Sequence, residues 1–236
     1  MIVSISQPTL FPWLGYFNII KNSDIFVFLD IVKFEKRSWQ MRNKVKLVTP
    51  EEEKEIWIKI PTKMENTETL IKDVLIDNSQ KGKKQHLNIL RSSYGKKSEQ
   101  ISFIFNLYER EWEKIVDFNI QFISECCKFL NIKTQLVRAS DYNFVGKKSQ
   151  LIFDICKKLS ATEYLTTIGS KDYLEKDREF FGEKGIEITY QEYKHPIYKQ
   201  KGKSFIENLS IVDLLFNEYL ESSKFFNNIS NLKIKE

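Results

Sequence analysis

Ile2-Val3-Ser4-Ile5-Ser6-Gln7-Pro8, then Leu14 to Ile20, then Ile25-Phe26-Val27-Phe28-Leu29-Asp30, is the stretch on which the fold class turns. The first segment alternates apolar and small polar residues like a strand, the second carries apolar residues at near-helical spacing until Asn22-Ser23-Asp24 breaks it, and the third is a short apolar run of buried-strand type. Strand, loop, helix, strand is the unit that builds parallel sheets. The expected fold is therefore α/β, with a mainly parallel, Rossmann-like sheet.

The rest of the chain fits around that unit. Lys44 to Val48 and Glu55 to Ile60 alternate with period two about Pro50-Glu51-Glu52-Glu53, which reads as an antiparallel hairpin, and Val74 to Ile76 reads as a further strand. From about 79 to 131 the pattern turns helical, with an apolar stripe at Ile115, Phe118, Phe122, Ile123 and Cys126, so a helical insertion is expected there. The α/β alternation then resumes: strand Thr134 to Val137, helix Gln150 to Leu159, strand Tyr164 to Thr166, helix Asp172 to Phe181, strand Ile186 to Tyr190 and a last helix from Ser210 to Tyr219. One domain over residues 1–222 is expected, with 223–236 as a polar tail that frays.

The 236 residues are 42% hydrophobic and 29% charged, which excludes a disordered chain. Met1 to Ile20 is uncharged but lacks a basic leader and contains Pro8 and Pro12, so it does not read as a secretion signal, and no apolar run approaches the length of a membrane span. A cytoplasmic protein is expected. Cys126, Cys127 and Cys156 read as reduced core thiols, and no His, Cys or Asp spacing suggests a metal site. The net charge of +5 is carried locally: between Ile31 and Pro50 six basic residues (Lys33, Lys36, Arg37, Arg42, Lys44, Lys46) face one acid, Glu35.

Three constellations are candidates for chemistry. The loop after the first strand offers Gln7 to bond a ligand and Trp13 and Tyr16 to stack on it, although two prolines and three aromatics also make a rigid, packed turn. Ligands of such sheets bind at the carboxyl ends of the strands. The segment from Asp30 to Lys44 pairs Lys33, Lys36, Arg37, Arg42 and Asn43 with Trp39, an order suited to gripping phosphate and stacking a base or sugar. Basic residues interleaved with aromatics also suit single-stranded nucleic acid; one short patch in a near-neutral chain makes that the weaker case. The third, Tyr193 to Gln200, contains His195, the most plausible general base of only two histidines, together with Tyr198 and Gln200. His86, in a Lys-rich helical stretch, reads as exposed. Gly169-Ser170-Lys171-Asp172 is a loop opening a helix, with Ser170 or Asp172 as cap and both as secondary site candidates.

Taken together, Gln7-Pro8, Phe11-Pro12-Trp13-Leu14-Gly15-Tyr16-Phe17, Asp30 and Phe34 to Lys44 resemble the opening motifs of the WbqC-like family, and His195-Pro196-Ile197-Tyr198-Lys199-Gln200 with Leu209 to Asn217 resembles its ending. The resemblance implies a product of bacterial O-antigen or surface-polysaccharide clusters, and a glycine (aminoacyl) or acyl transferase role. On that basis the ligand is a nucleotide-linked amino sugar, ATP being the other nucleotide that stays open, and no further cofactor is expected. Lys and Arg would hold its diphosphate, His195 would take the amine proton, and Asp30 is the alternative catalytic group. The N-terminal pattern is also similar to the strand, HxGH loop and helix of nucleotidylyltransferase-type folds, with Trp13 and Tyr16 at the histidine positions, so only the fold carries over. A nucleotide- or nucleic-acid-binding module and a non-catalytic assembly protein are the competing readings. A homo-oligomer stays open.

Overall fold

The computed structural model describes residues 1–78, 82–95, 101–219, 221–229 and 232–234. Five parallel strands form its centre: β1 (Ile2–Ser6), β2 (Ile25–Phe28), β7 (Gln135–Arg138), β8 (Glu163–Thr167) and β9 (Glu187–Glu192), in the spatial order β9-β8-β1-β2-β7. The chain builds outward from β1 in one direction through β2 and β7, then returns to the other side of β1 for β8 and β9. Connections therefore diverge between β1 and β8, and that divergence opens a crevice at the carboxyl ends of the two strands.

The strand period separates two cores. Phe26 and Phe28 face one layer, made of α1 (Leu14–Lys21), α4 (Ile115–Phe129) and α8 (Ile211–Glu218), whereas Val3, Ile5, Ile25 and Val27 face the other, made of α5 (Lys148–Lys158), α6 (Lys171–Leu174) and α7 (Arg178–Glu183). The hairpin of β3 (Arg42–Val48) and β4 (Glu53–Lys59) stands apart from the central sheet and sends Val45 and Ile58 into the first core. A two-residue pair, β5 (Thr62–Lys63) with β6 (Leu75–Ile76), follows. The helical block contributes α2 (Gly82–Tyr94), α3 (Ser102–Glu109) and α4, while residues 79–81 and 96–100 of the expected insertion lie outside the described ones.

Two expectations need correction. The helix expected from Asp172 to Phe181 is α6, a 3-10 turn at Glu175–Asp177 and α7, and Ser170 does not cap it: its hydroxyl donates back to Thr167 O at 2.7 Å. Of the expected tail, residues 223–229 and 232–234 are described, and they carry regular structure. The segment forms α9 (Ser222–Asn227), which buries Phe226, and β10 (Leu232–Ile234), which pairs antiparallel with the edge strand β9. Backbone pairing along an open edge holds a three-residue strand that composition alone marks as polar.

Candidate functional site

A cavity of 430 Å³ lies in the crevice between β1 and β8, within the range of about 300–1,000 Å³ usual for small-molecule sites. It is lined by Trp13, Tyr16 and Trp39 and by the polar residues Ser6, Thr9, Asn43, Thr166, Thr167 and Asn208, of which Asn43 and Thr166 are already hydrogen-bonded within the protein. Among the described residues no Lys, Arg, Asp or Glu lines it. A group entering this space meets neutral hydrogen-bonding partners and aromatic faces, which suits a polyhydroxylated or flat polar ligand rather than a bare anion.

The loop after β1 is shaped by the segment that follows β2. Asn43 Nδ2 donates to Leu10 O at 3.0 Å and Phe11 O at 2.8 Å, Leu10 N donates to Trp39 O at 2.8 Å, and Asn119 of α4 bonds Pro8 O and Gln40 O at 3.1 and 2.8 Å. Gln7 accepts a bond from the side chain of Gln40 instead of facing the cavity. Phe11 is held at φ 45°, Arg37 at φ 62° and Asn208 at φ 59°, so three non-glycine residues in the left-handed region belong to the segments around this one cavity. Such conformations cost about 1–3 kcal/mol each for most residues and persist only where the surroundings impose them. The Trp13 indole lies flat against Gly15, where a Cβ would sit 2.4–2.7 Å from the ring, so a glycine there is what lets the ring approach the helix.

Of the first two constellations, Trp13, Tyr16, Trp39 and Asn43 converge on the cavity. The basic residues divide. Lys33 pairs with Glu68 at 2.7 Å, Lys44 pairs with Glu55, Lys46 is buried on Glu53 at 3.2 Å, and the Arg42 guanidinium lies 4.2 Å from the centre of the Trp57 ring. Lys36 and Arg37 are exposed and form no ion pair among the described residues. Asp30 is fully buried, with Oδ1 accepting from Ser140 N at 2.9 Å and Oδ2 from Ser140 Oγ at 2.6 Å, which ties the end of β2 to the segment after β7. It does not line the cavity. Ser170 is buried behind Thr166, whose hydroxyl it meets at 2.9 Å, and Asp172 is exposed outside the cavity.

The third constellation does not line the cavity either. Tyr198 Oη donates to Asp213 Oδ2 at 2.8 Å, Tyr94 Oη donates to Asp213 Oδ1 at 2.8 Å, and Gln200 bonds Tyr198 Oη and the backbone of Ile206. This buried network moors the C-terminal loop to α8. His195 sits among the rings of Tyr193, Tyr198 and Phe205, with centroids about 6 Å away, and Tyr193 stands edge-on to Trp13 at 4.9 Å. Both His195 nitrogens and the Tyr193 hydroxyl are buried with no hydrogen-bond partner among the described residues, and burial lowers the His195 pKa. Ring contacts thus run from Trp13, on the cavity wall, through Tyr193 to His195. His86, expected to be exposed, is buried: Nε2 accepts from Lys59 N at 3.1 Å, Nδ1 lies 3.3 Å from Tyr108 Oη, and burial holds its pKa down to about 4.

Ser6, Thr9, Thr166, Thr167 and Asn208 are not among the site residues expected from the sequence. The available signal was the pair Thr166-Thr167 at the carboxyl end of an expected strand, the position where such sheets bind ligands. Among the described residues no three His, Cys, Asp or Glu side chains come together as a metal site, and no helix is long and apolar enough to cross a membrane.

The profile of the WbqC-like protein family matches residues 7–225 of the chain. A relative from Mycobacterium tuberculosis, the uncharacterized protein Rv1507c, is 29% identical over 221 residues, covering 91% of this chain and 93% of its own length. No solved structure matches.

Proposed function

The chain belongs to the WbqC-like protein family, and from that premise we propose that it is a transferase of bacterial O-antigen or surface-polysaccharide biosynthesis that passes an aminoacyl or other acyl group to a nucleotide-linked amino sugar. The observation that carries this reading is the cavity at the β1/β8 switch point, whose aromatic walls and uncharged hydroxyls and amides match the apolar faces and the hydroxyl edges of a sugar ring. In the reaction the sugar amine attacks the acyl carbonyl, a C–N bond forms as the bond to the acyl carrier breaks, and the amine proton passes to an acceptor. Among the described residues no His, Cys, Asp or Glu lines the cavity, and Asp30 already accepts two bonds from Ser140. The acceptor in this reading is the departing carrier group or His195, reached by displacement of the Trp13 and Tyr193 rings.

The same absence of a titrating group favours a second reading, a module that binds the nucleotide sugar without transforming it. Incubating the protein with UDP-glucosamine and a panel of activated glycyl and acyl donors, followed by mass spectrometry, separates the two. Transfer gives a product heavier by the acyl residue, and filling the cavity with Thr167→Leu abolishes it. Calorimetric binding of UDP-glucosamine with no product from any donor favours the module, and no binding at all sinks both.

A further inference from the structure

Next to the cavity mouth, Trp39 is 52% exposed and Trp57, on β4, is 41% exposed, with ring centroids 5.5 Å apart. Exposed tryptophans in contact are unusual, because each leaves a large apolar face in water that packing would otherwise cover. The register explains why they meet: Lys44 pairs directly with Trp57 across the hairpin, and Trp39 enters from the turn before β3. Cations frame the pair. Arg42 and Lys44 approach the Trp57 ring at 4.2 and 5.1 Å, and the unpaired Lys36 and Arg37 lie in the turn that carries Trp39. The far end of the same hairpin face is closed, since Glu53 accepts bonds from Lys203 N, Ser204 N and Ser204 Oγ of the C-terminal loop. The open end is the one beside the cavity.

We propose that the Trp39–Trp57 strip is a second subsite, which binds the nucleoside diphosphate end of the ligand. The base stacks on the exposed rings, the phosphates meet Lys36, Arg37 and Arg42, and the uncharged part continues past Trp39 into the cavity. Charge supports this orientation: the cavity has no cation to compensate a diphosphate, whereas the strip has several, and Trp39 belongs to both. Base–aromatic stacking contributes about 1–3 kcal/mol per base, and charge-assisted bonds fix the phosphates. The proposal rests on the cavity reading for what lies beyond the phosphates, but Trp57 is assigned from its own surroundings.

Calorimetry with UDP, GDP and ADP alone, and with UDP-glucosamine, tests it in wild type, Trp57→Ala, the double variant Lys36→Ala/Arg37→Ala and Thr167→Leu, with melting temperatures recorded for each. Both strip variants are expected to weaken nucleoside diphosphate binding about tenfold or more, the equivalent of about 1.4 kcal/mol. Thr167→Leu is expected to leave UDP unchanged and to reduce UDP-glucosamine to the affinity of UDP. Unaltered diphosphate binding in both strip variants, or no diphosphate binding by wild type, overturns the proposal. If the strip variants lose UDP while Thr167→Leu binds UDP-glucosamine like wild type, the strip stands and the cavity reading fails. A decameric single-stranded oligonucleotide that binds more tightly than any diphosphate, and loses affinity in Trp57→Ala, overturns the proposal in favour of nucleic acid.

Discussion

The β1/β8 cavity and the Asp213 network are both built of tyrosines, amides and hydroxyls, but they dispose of them in opposite ways. Around Asp213, Tyr94, Tyr198 and Gln200 hydrogen-bond Asp213, one another or the backbone. Around the cavity, Thr9, Thr167 and Asn208 border a volume large enough for a ligand, and the backbone beneath is held in costly conformations. Polar and aromatic residue types therefore do not mark a site by themselves. What distinguishes one is polar groups directed at space, on a framework that holds them there. The two regions should accordingly respond to substitution along different axes, stability for the network and binding for the cavity.

The largest effect should come from the network. Asp213 is buried, and burial raises its pKa while the hydroxyls of Tyr198 and Tyr94 pull it down, so Asp213→Ala would leave two buried phenols without their acceptor. Leaving a buried donor without its acceptor costs about 1–3 kcal/mol, so about 2–6 kcal/mol is expected for the two phenols. Thr167→Val, at the cavity rim, should stay within about 0.5 kcal/mol of wild type. Urea unfolding followed by circular dichroism measures both. A loss of under 1 kcal/mol for Asp213→Ala, or a larger one for Thr167→Val, would erase the distinction between the regions.

His86 sharpens the comparison through pH. Its Nε2 accepts from Lys59 N, Tyr108 lies on its other nitrogen, and it borders a second cavity of 240 Å³ shared with Asp77, Arg110 and Glu111. The folded pKa of about 4 lies below the ordinary value of 6.5, so at intermediate pH the unfolded chain takes up a proton that the folded chain refuses. Stability should therefore be unaffected by this group above pH about 6.5 and should fall as the pH drops toward 4, by up to about 3 kcal/mol. His86→Gln keeps an acceptor for Lys59 N but cannot titrate, and it should remove that part of the slope. An identical slope in wild type and variant would mean that other groups produce it.

The sheet was legible because its evidence is local. Period two in Ile2 to Ser6 and the apolar run from Ile25 identify the strands, and an intervening helix implies parallel pairing. The position of the crevice depends on strand order, a long-range property, so Trp13 and Trp39 were found by residue type while Thr9, Thr167 and Asn208 were not. His86 was misread from its Lys-rich neighbours, although Gly82, His86, Leu90 and Tyr94 recur every fourth residue and all are buried. The basic segment shows the converse, because part of its charge is met by acids that local sequence does not place beside it. Hairpin register brings Glu53 and Glu55 beside Lys46 and Lys44, so two of its six cations are neutralised within the hairpin, and Glu68 takes a third, Lys33. Tyr198 and Gln200 were assigned to a ligand because nothing local distinguishes a polar side chain that faces a cavity from one bonded in the core.

The smallest expected effect has the opposite sign, and it tests which of the two regions His195 resembles. Its two ring nitrogens and the Tyr193 hydroxyl are buried with no partner among the described residues, in a box of Tyr193, Tyr198 and Phe205, and burial lowers its pKa. An unbonded buried polar group is a cost, so an apolar ring of similar shape should fit the box better. His195→Phe is expected to stabilise the protein by about 1 kcal/mol, read as a melting temperature a few degrees higher. A side chain that lowers stability in place is of the cavity type, retained for what it does when Trp13 and Tyr193 move. The same variant should then lose acyl transfer while keeping its affinity for UDP-glucosamine. Destabilisation by His195→Phe would instead join the histidine to the Asp213 network as a packing residue, and would remove it from the proposed chemistry.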